Sequence, residues 1–341
     1  MQLALYTKYR PHTFDDVTEQ KEIVDILKNQ LATGTVRNSY LFVGPSGCGK
    51  TTLARIMARA INGGNGGLIE MDAASNNGVD DVRDMLEKSN YQALDAEYKI
   101  FLLDEVHMFS TGAWNAMLKT LEEPPAKTIY MLCTTDPQKI PDTIINRVQR
   151  FDLSRISYDG IYGRLNHIIE KEKEAIADLS VDDATVDYIA KLAGGGMRDA
   201  VSMLDKCLSL KHQITIAEAV KILGSINYDT MFDLFFAMYN CDEAGVVKIV
   251  EEVYNSGRDL KLFIKQYSNF LADVCKYKLF GDFTYLRIPL SYADSMLRCK
   301  NSDGEVLKTL LEKVSELNSK IKYESNVLPI VETELMLLSR E

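Results

Sequence analysis

No two cysteines in this chain stand close enough in sequence to form a zinc-knuckle pair or a short disulfide loop. Six are present, at positions 48, 133, 207, 241, 275 and 299, and the nearest pair is 24 residues apart. Without a C-x-x-C spacing, neither a zinc knuckle nor a disulfide framework is expected; reduced core thiols in a cytoplasmic protein fit the pattern better. An excess of basic residues is also missing. Lys and Arg total 39 against 49 Asp and Glu, a formal charge of −10. That argues against nonspecific coating of nucleic acid, but leaves room for a local, shape-guided DNA contact. No apolar run reaches the roughly 20 residues that span a bilayer, so no membrane partner is expected. The N-terminus, MQLALYTKYRPHTF, lacks the apolar core of a signal peptide. Internal repeats and low-complexity linkers are absent too. What remains is ordinary for a globular chain: 341 residues, 46% hydrophobic and 26% charged, enough for two or three domains.

The first half alternates short apolar segments with amphipathic ones. SYLFV (39–43), LIEMD (68–72), KIFLLD (99–104), IYMLCTT (129–135) and QRFDL (149–153) read as strands. Runs such as IFLLD are apolar throughout, as expected for strands buried on both faces of a parallel sheet. Five strands separated by helices predict a doubly wound α/β domain. From about Ser154 the pattern changes to helices only. One compact helical group ends near Gly224, and a second block runs from about Asn227 to the C-terminus. The expected division is 1–154, 155–224 and 225–341.

One motif carries chemistry outright. Gly44-Pro45-Ser46-Gly47-Cys48-Gly49-Lys50-Thr51 matches G-x-x-x-x-G-K-[ST], follows a β-like run and opens the helix that continues through Thr52. Its glycines let backbone N–H groups turn toward phosphates, and the helix N-terminus adds a favourable dipole. Lys50 is expected to reach the β/γ-phosphates of ATP, and Thr51 to hold Mg2+. The strand IFLLD ends in Asp104-Glu105. Asp104 is placed to join the Mg2+ coordination sphere, and Glu105 to polarise the attacking water. Two acids at this position, with a further strand before them, point to a hydrolase rather than a nucleotide kinase.

Four stretches carry a resemblance. Tyr9-Arg-Pro-His-Thr-Phe-Asp-Asp-Val17, DEVHMFSTGAWNAMLKTLEEPP (104–125), TTDPQKIPDTIINR (134–147) and GGGMRDAVSMLD (194–205) resemble the bacterial DNA polymerase III gamma/tau subunits, the AAA+ motors of sliding-clamp loaders. The resemblance runs from Leu5 to about Leu210; beyond it only length and helical character agree. It implies an AAA+ P-loop core, a small helical lid and an all-α collar holding five subunits in a ring. It also implies roles for single residues. Thr135 would be sensor 1, with Thr134 as second choice because a one-residue shift swaps faces. Arg198 would be sensor 2, reaching the nucleotide from the lid, unless it is a surface arginine beside Asp199. Arg147 would be an arginine finger acting on a neighbouring subunit's ATP, with Arg150 as the alternative. Asn146-Arg147-Val148 stands where the family has Ser-Arg-Cys. Arg10 and Val17 fall where the family's N-terminal segment closes over the adenine base.

The stretch INGGNGG (61–67) looks like a second phosphate loop. In the bacterial relatives a four-cysteine zinc module fills this place, whereas here no cysteine lies between Cys48 and Cys133. A shortened bridge is therefore expected, with glycines supplying positive-φ positions, and no zinc. The missing module and the missing C-terminal extension of tau forms suggest a minimal version, with a viral origin, and so a host cytoplasm, as one option.

Partners implied by the resemblance are a sliding clamp, primer–template DNA, other loader subunits or further copies of this chain, and indirectly a replicative DNA polymerase. Phosphate contacts would suffice to track duplex DNA without reading sequence. Ser75, Asn76, Asn77 and Gly78 before one helix, and Ser110 and Thr111 before the next, are either such contacts or plain helix caps. Trp114, Met117, Leu118 and Leu121 share a helical face and read as core. His107 reads as structural. Two other functions fit less well: a branch-migration type of AAA+ motor, disfavoured by the collar-like C-terminus, and a non-hydrolysing stator of a loader, disfavoured by intact Lys50, Thr51, Asp104 and Glu105.

Overall fold

The computed structural model describes residues 3–64, 66–89, 91, 93, 95–176, 178–223, 228–283 and 286–339. The chain falls into two compact units, Met1–Ala175 with Ala193–Asp205, and Ile176–Leu192 with Lys206–Glu341. The expected boundary at 224–225 lies outside the described residues.

The first unit begins with α1 (Leu5–Lys8) and α2 (Lys21–Thr33). It continues β1 (Ser39–Val43), α3 (Lys50–Asn62), β2 (Leu68–Asp72), α4 (Val79–Ser89), β3 (Lys99–Asp104) and α5 (Thr111–Glu122). Then come β4 (Thr128–Thr134), α6 (Asp142–Ile145), β5 (Gln149–Asp152) and α7 (Tyr158–Lys173). All five strands pair in parallel, in the order β2-β3-β4-β1-β5. The order explains the sequence. β1 and β4 are central and buried along their whole length, and β3 along all but Asp104, whereas the edge strands β2 and β5 carry exposed polar residues.

Alternate strand residues serve opposite faces. Tyr40, Phe42, Ile100, Leu102, Met131 and Cys133 pack with Leu27, Leu53 and Met57 of α2 and α3. Leu41, Phe101, Leu103, Tyr130 and Leu132 pack with Val82, Met85, Trp114 and Met117 of α4 and α5. Trp114 is thus core, as expected. Such a three-layer core brings the carboxyl ends of β1, β3 and β4 to one edge, the place where open α/β sheets bind ligands.

The glycine stretch joins α3 to the edge strand β2. Gly63 ends α3 in the left-handed region at φ 65°, and Gly67 adopts φ 71°. A second cause emerges beside positive φ. A Cβ on Gly66 would meet the Asp95 carbonyl oxygen at 2.5 Å, and one on Gly67 the Tyr98 carbonyl oxygen at 2.2 Å. Asn62 Nδ2 donates to the Gly66 and Tyr98 carbonyls, both at 2.9 Å, tying the bridge to the start of β3. Close backbone approach excludes side chains there. Asn65 lies outside the described residues.

After α7 come β6 (Ser180–Val181), α8 (Asp183–Leu192), α9 (Met197–Leu208), β7 (Gln213–Ile214) and α10 (Ile216–Leu223). β6 and β7 pair in parallel, which corrects the expectation of helices only. Two-residue strands are too short to show a period of two. The remainder is α11 (Tyr228–Tyr239), α12 (Glu243–Asn255), α13 (Leu260–Phe280), α14 (Ala293–Lys300), α15 (Gly304–Lys320) and α16 (Leu328–Leu338). Their apolar faces form one cluster around Phe235, Phe263, Tyr267 and Leu271. Asp242, Asp259 and Asp303 cap α12, α13 and α15 by accepting from backbone N–H groups of the first turn.

Candidate nucleotide site

The phosphate loop runs from the end of β1 into α3. Gly47 and Gly49 adopt φ 74° and 107°, a region that costs a side chain dearly and glycine nothing. Gly47 is also hemmed in: a Cβ there would meet Gly196 Cα at 3.0 Å. Its carbonyl accepts from Met197 N at 3.1 Å, joining the loop to the start of α9. Lys50, 6% exposed, donates Nζ to the carbonyls of Gly44 and Pro45 at 2.9 and 3.0 Å. Thr51 Oγ1 donates to Asp104 Oδ2 at 2.8 Å. A hydroxyl and a carboxylate so close form a hard oxygen pair of the kind Mg2+ takes together with phosphate oxygens.

Glu105 follows Asp104 in the left-handed region, φ 49° and ψ 42°. A non-glycine residue there stores strain of order 1–3 kcal/mol, often found at functional sites. Its N–H donates to Asp104 Oδ1 at 3.0 Å. Thr135 Oγ1 donates to Glu105 Oε2 at 3.0 Å, and His107 Nδ1 stands 3.3 Å from the same oxygen. β4 ends at Thr134, one residue earlier than the sequence indicates. Thr134 is fully buried, accepting from Asp136 N at 3.0 Å and meeting His107 Nδ1 at 3.2 Å. Of the two threonines, Thr135 therefore faces the acid. His107, read from sequence as structural, touches both Glu105 and Thr134; nothing in the motif spacing marks that contact.

One cleft is lined by Ser46, Gly47, Cys48, Gly49, Lys50, Thr51 and Thr52 together with Asp104, Glu105, Arg10, Val17 and Arg198. Gly44 and Pro45 act beside it through the carbonyls that hold Lys50. Sequence reasoning did not find Tyr6, Tyr9 and Arg164, which line the same cleft. The Arg198 guanidinium lies 5.2 Å from the Tyr6 ring centroid, a cation–π distance. Burial pushes the Cys48 thiol up, so it is an inert wall of the loop rather than a nucleophile.

Arg147 is outside this cleft. It pairs with Glu122 at the end of α5, Nε donating at 2.8 Å, and also contacts the Thr143 carbonyl. Arg150 is held by Asp152, both within β5. The candidate DNA residues do come together, since Ser110 N donates to the Asn77 carbonyl at 3.1 Å, setting the N-termini of α4 and α5 side by side. Several act locally there. Ser110 Oγ caps α5 by accepting from Ala113 N at 3.2 Å, Asn76 Nδ2 donates to the Asp72 carbonyl at 3.1 Å, and Gly78 N donates to Asp81 Oδ2 at 3.1 Å. Ser75, Asn77 and Thr111 are exposed.

Comparison with known proteins follows the same lines. Residues 67–157 match the family "DNA polymerase III, delta subunit", and residues 214–292 match "DNA polymerase III subunits gamma and tau domain III". The DNA polymerase III subunit tau of Bacillus subtilis (strain 168) is 38% identical over 297 residues, covering 81% of this chain and 52% of the relative. The DNA polymerase III subunit gamma of Buchnera aphidicola subsp. Schizaphis graminum is 30% identical over 342 residues, covering 94% and 89%. The chain thus spans about half the length of the longer relatives, such as the tau subunit of B. subtilis. These relatives are bacterial and lend no support to a viral origin. Among solved structures, the Thermotoga maritima RuvB Holliday junction branch migration motor superposes with TM-score 0.51 at 18% identity, covering 67% of this chain and 79% of that one. That likeness shows the fold: an AAA+ P-loop core followed by helices. With the length, identity and coverage of the Buchnera match, the chain belongs to the DNA polymerase III gamma/tau subunit family.

Proposed function

We propose that the chain is the ATP-hydrolysing motor subunit of a DNA sliding-clamp loader, opening the clamp and placing it on primer–template DNA. One observation carries the reading: in a chain of the gamma/tau family, Lys50, Thr51, Asp104 and Glu105 line one cleft, and Thr135 is hydrogen-bonded to the acid.

Each residue then has a task. Lys50 exchanges the carbonyls of Gly44 and Pro45 for phosphate oxygens, while the N-terminus of α3 contributes its dipole. Thr51 and Asp104 hold Mg2+, which supplies charge neutralisation at the phosphates when bound. Glu105 accepts the proton of the attacking water, kept in place by Thr135 as sensor 1 and by its own constrained backbone. Arg198 reaches the nucleotide as sensor 2, and Arg10 and Val17 close over the base. Arg147 acts on the ATP of the neighbouring subunit, stabilising charge that spreads over the γ-phosphoryl oxygens in the transition state.

In this reading 1–154 is the ATPase core, 155–224 the lid and 225–341 the collar of a five-membered ring in the cytoplasm. The other members are loader subunits or copies of this chain, no zinc is bound, and the loaded clamp serves a replicative polymerase. The N-termini of α4 and α5 contact DNA phosphates. Clamp loading onto primed circular DNA, with the cognate clamp and partner subunits, tests it. Loading should need ATP and vanish with Lys50→Ala. Loading that persists with Lys50→Ala in every copy of the chain would refute it.

A further inference from the structure

Glu172 is hidden in the charge run Glu170-Lys171-Glu172-Lys173-Glu174 at the end of α7. Its neighbours behave as a solvated run should: Lys171 pairs with Glu174 at 3.0 Å and Lys173 with Glu170 at 2.7 Å, all largely exposed. Glu172 does not. It is 2% exposed, and one oxygen, Oε1, accepts from Lys8 Nζ at 2.6 Å and from Tyr9 Oη at 2.5 Å. A buried carboxylate is costly unless paired and hydrogen-bonded; here the N-terminal segment supplies both partners.

That segment needs such ties. α1 is four residues long, too short to hold itself as a helix. The segment's first residues are anchored by side chains of α7 and α9, while Arg59 of α3 and Lys28 of α2 hold His12 and Asp15 further along. Leu5 N donates to Asp205 Oδ2 at 3.1 Å, Arg164 Nη2 donates to the Tyr9 carbonyl at 2.8 Å, and Lys8 and Tyr9 converge on Glu172. Tyr6, Tyr9, Arg10 and Val17 line the nucleotide cleft, whereas Glu172 and Lys8 do not. Tyr6 also carries Arg198 over its ring. The carboxylate therefore fixes one wall of the cleft from behind.

We infer that Glu172 is a positioning residue for nucleotide retention: through Lys8 and Tyr9 it latches the N-terminal segment against the cleft and sets how long ATP stays bound. The inference rests on the proposed ATP site. Segments held by few contacts open locally at low cost, and a nucleotide behind such a segment leaves when it opens. Removing the charge from the latch raises the open fraction, so the effect falls on release rather than on association.

The test is stopped-flow release of N-methylanthraniloyl-ATP from the full chain, chased with excess ATP, in Glu172→Gln and Lys8→Met. Neither side chain lines the cleft. Loss of one buried charge-assisted hydrogen bond is expected to speed release about 10-fold, with association changed less than about twofold. The double variant should release no faster than the faster single, because both remove the same latch. If Glu172→Gln does not fold, the half-exposed Lys8→Met carries the test alone. Unchanged release from a folded variant, or additive effects in the double, overturns the latch. Wild-type affinity in Lys50→Ala would instead overturn the ATP site itself.

Discussion

Thr135 donates its hydroxyl to Glu105 Oε2 at 3.0 Å, linking the loop after β4 to the acid after β3. A carboxylate held this way has a fixed place without being buried out of reach of water. Glu105→Gln should keep ATP binding while turnover falls ~10²-fold or more, the usual worth of a general base. Thr135→Val should lower turnover by a smaller factor at unchanged affinity, because the base remains but is no longer held. Equilibrium binding and single-turnover hydrolysis measured side by side check both. Wild-type turnover in Glu105→Gln would remove it from the catalytic set.

Arg147, just after α6, donates to Glu122 within its own chain, which holds its guanidinium against the end of α5. If it acts in trans, Arg147→Ala should bind ATP almost normally yet lose ~10³-fold in stimulated turnover. Mixing Arg147→Ala with Lys50→Ala subunits should restore part of it, since some boundaries then join an intact Lys50 pocket to an intact Arg147. Turnover across mixing ratios, with assembly followed by light scattering, decides. No rescue from assembled rings would contradict a trans role.

The latch has a pH signature. Burial opposes the charge on Glu172, yet hydrogen bonds from Lys8 and Tyr9 and the Lys8 charge hold its carboxyl below the ordinary value of 4.5. Partial burial and the bond to Glu172 raise the phenol of the half-buried Tyr9, with Glu174 adding to and Arg164 opposing the rise. A depressed folded value stabilises the fold above the unfolded value and loses that contribution as pH falls through the folded one. Glu172→Gln should therefore melt below wild type at pH 7, and the gap should close below about pH 4.5. Melting curves across that range check the sign; a gap that widens in acid would contradict it.

The N-termini of α4 and α5 meet where Ser110 N donates to the Asn77 carbonyl at 3.1 Å. Asn76→Glu with Asn77→Glu places negative charge on that surface, away from the nucleotide cleft. Stimulation of hydrolysis by primed DNA should weaken, most at low salt, while basal hydrolysis stays unchanged. Unaltered stimulation at low salt would leave these residues as helix caps alone.

The five strands and the phosphate loop were legible because buried parallel strands are uninterrupted apolar runs, and because a Gly-rich turn between strand and helix has few other uses. Long-range pairing of polar side chains was not legible. Glu172 sits in a run whose local pattern says solvent, and its partners lie more than 160 residues away. His107 and Glu122 are likewise given meaning by contacts across elements. The glycine bridge was half legible: a need for positive φ within the stretch could be anticipated, but not that it falls on Gly63 and Gly67, nor the approach of the Asp95 and Tyr98 carbonyls, which depends on where β2 pairs. β6 and β7 escaped because two residues carry no periodicity.

Steady-state ATP hydrolysis by the chain with its partner subunits, measured with and without primed DNA and the sliding clamp, tests the motor assignment most directly. Turnover should be slow alone, rise when primed DNA and clamp are both present, and vanish with Lys50→Ala. Hydrolysis indifferent to both, or answering instead to a four-way DNA junction, would contradict it.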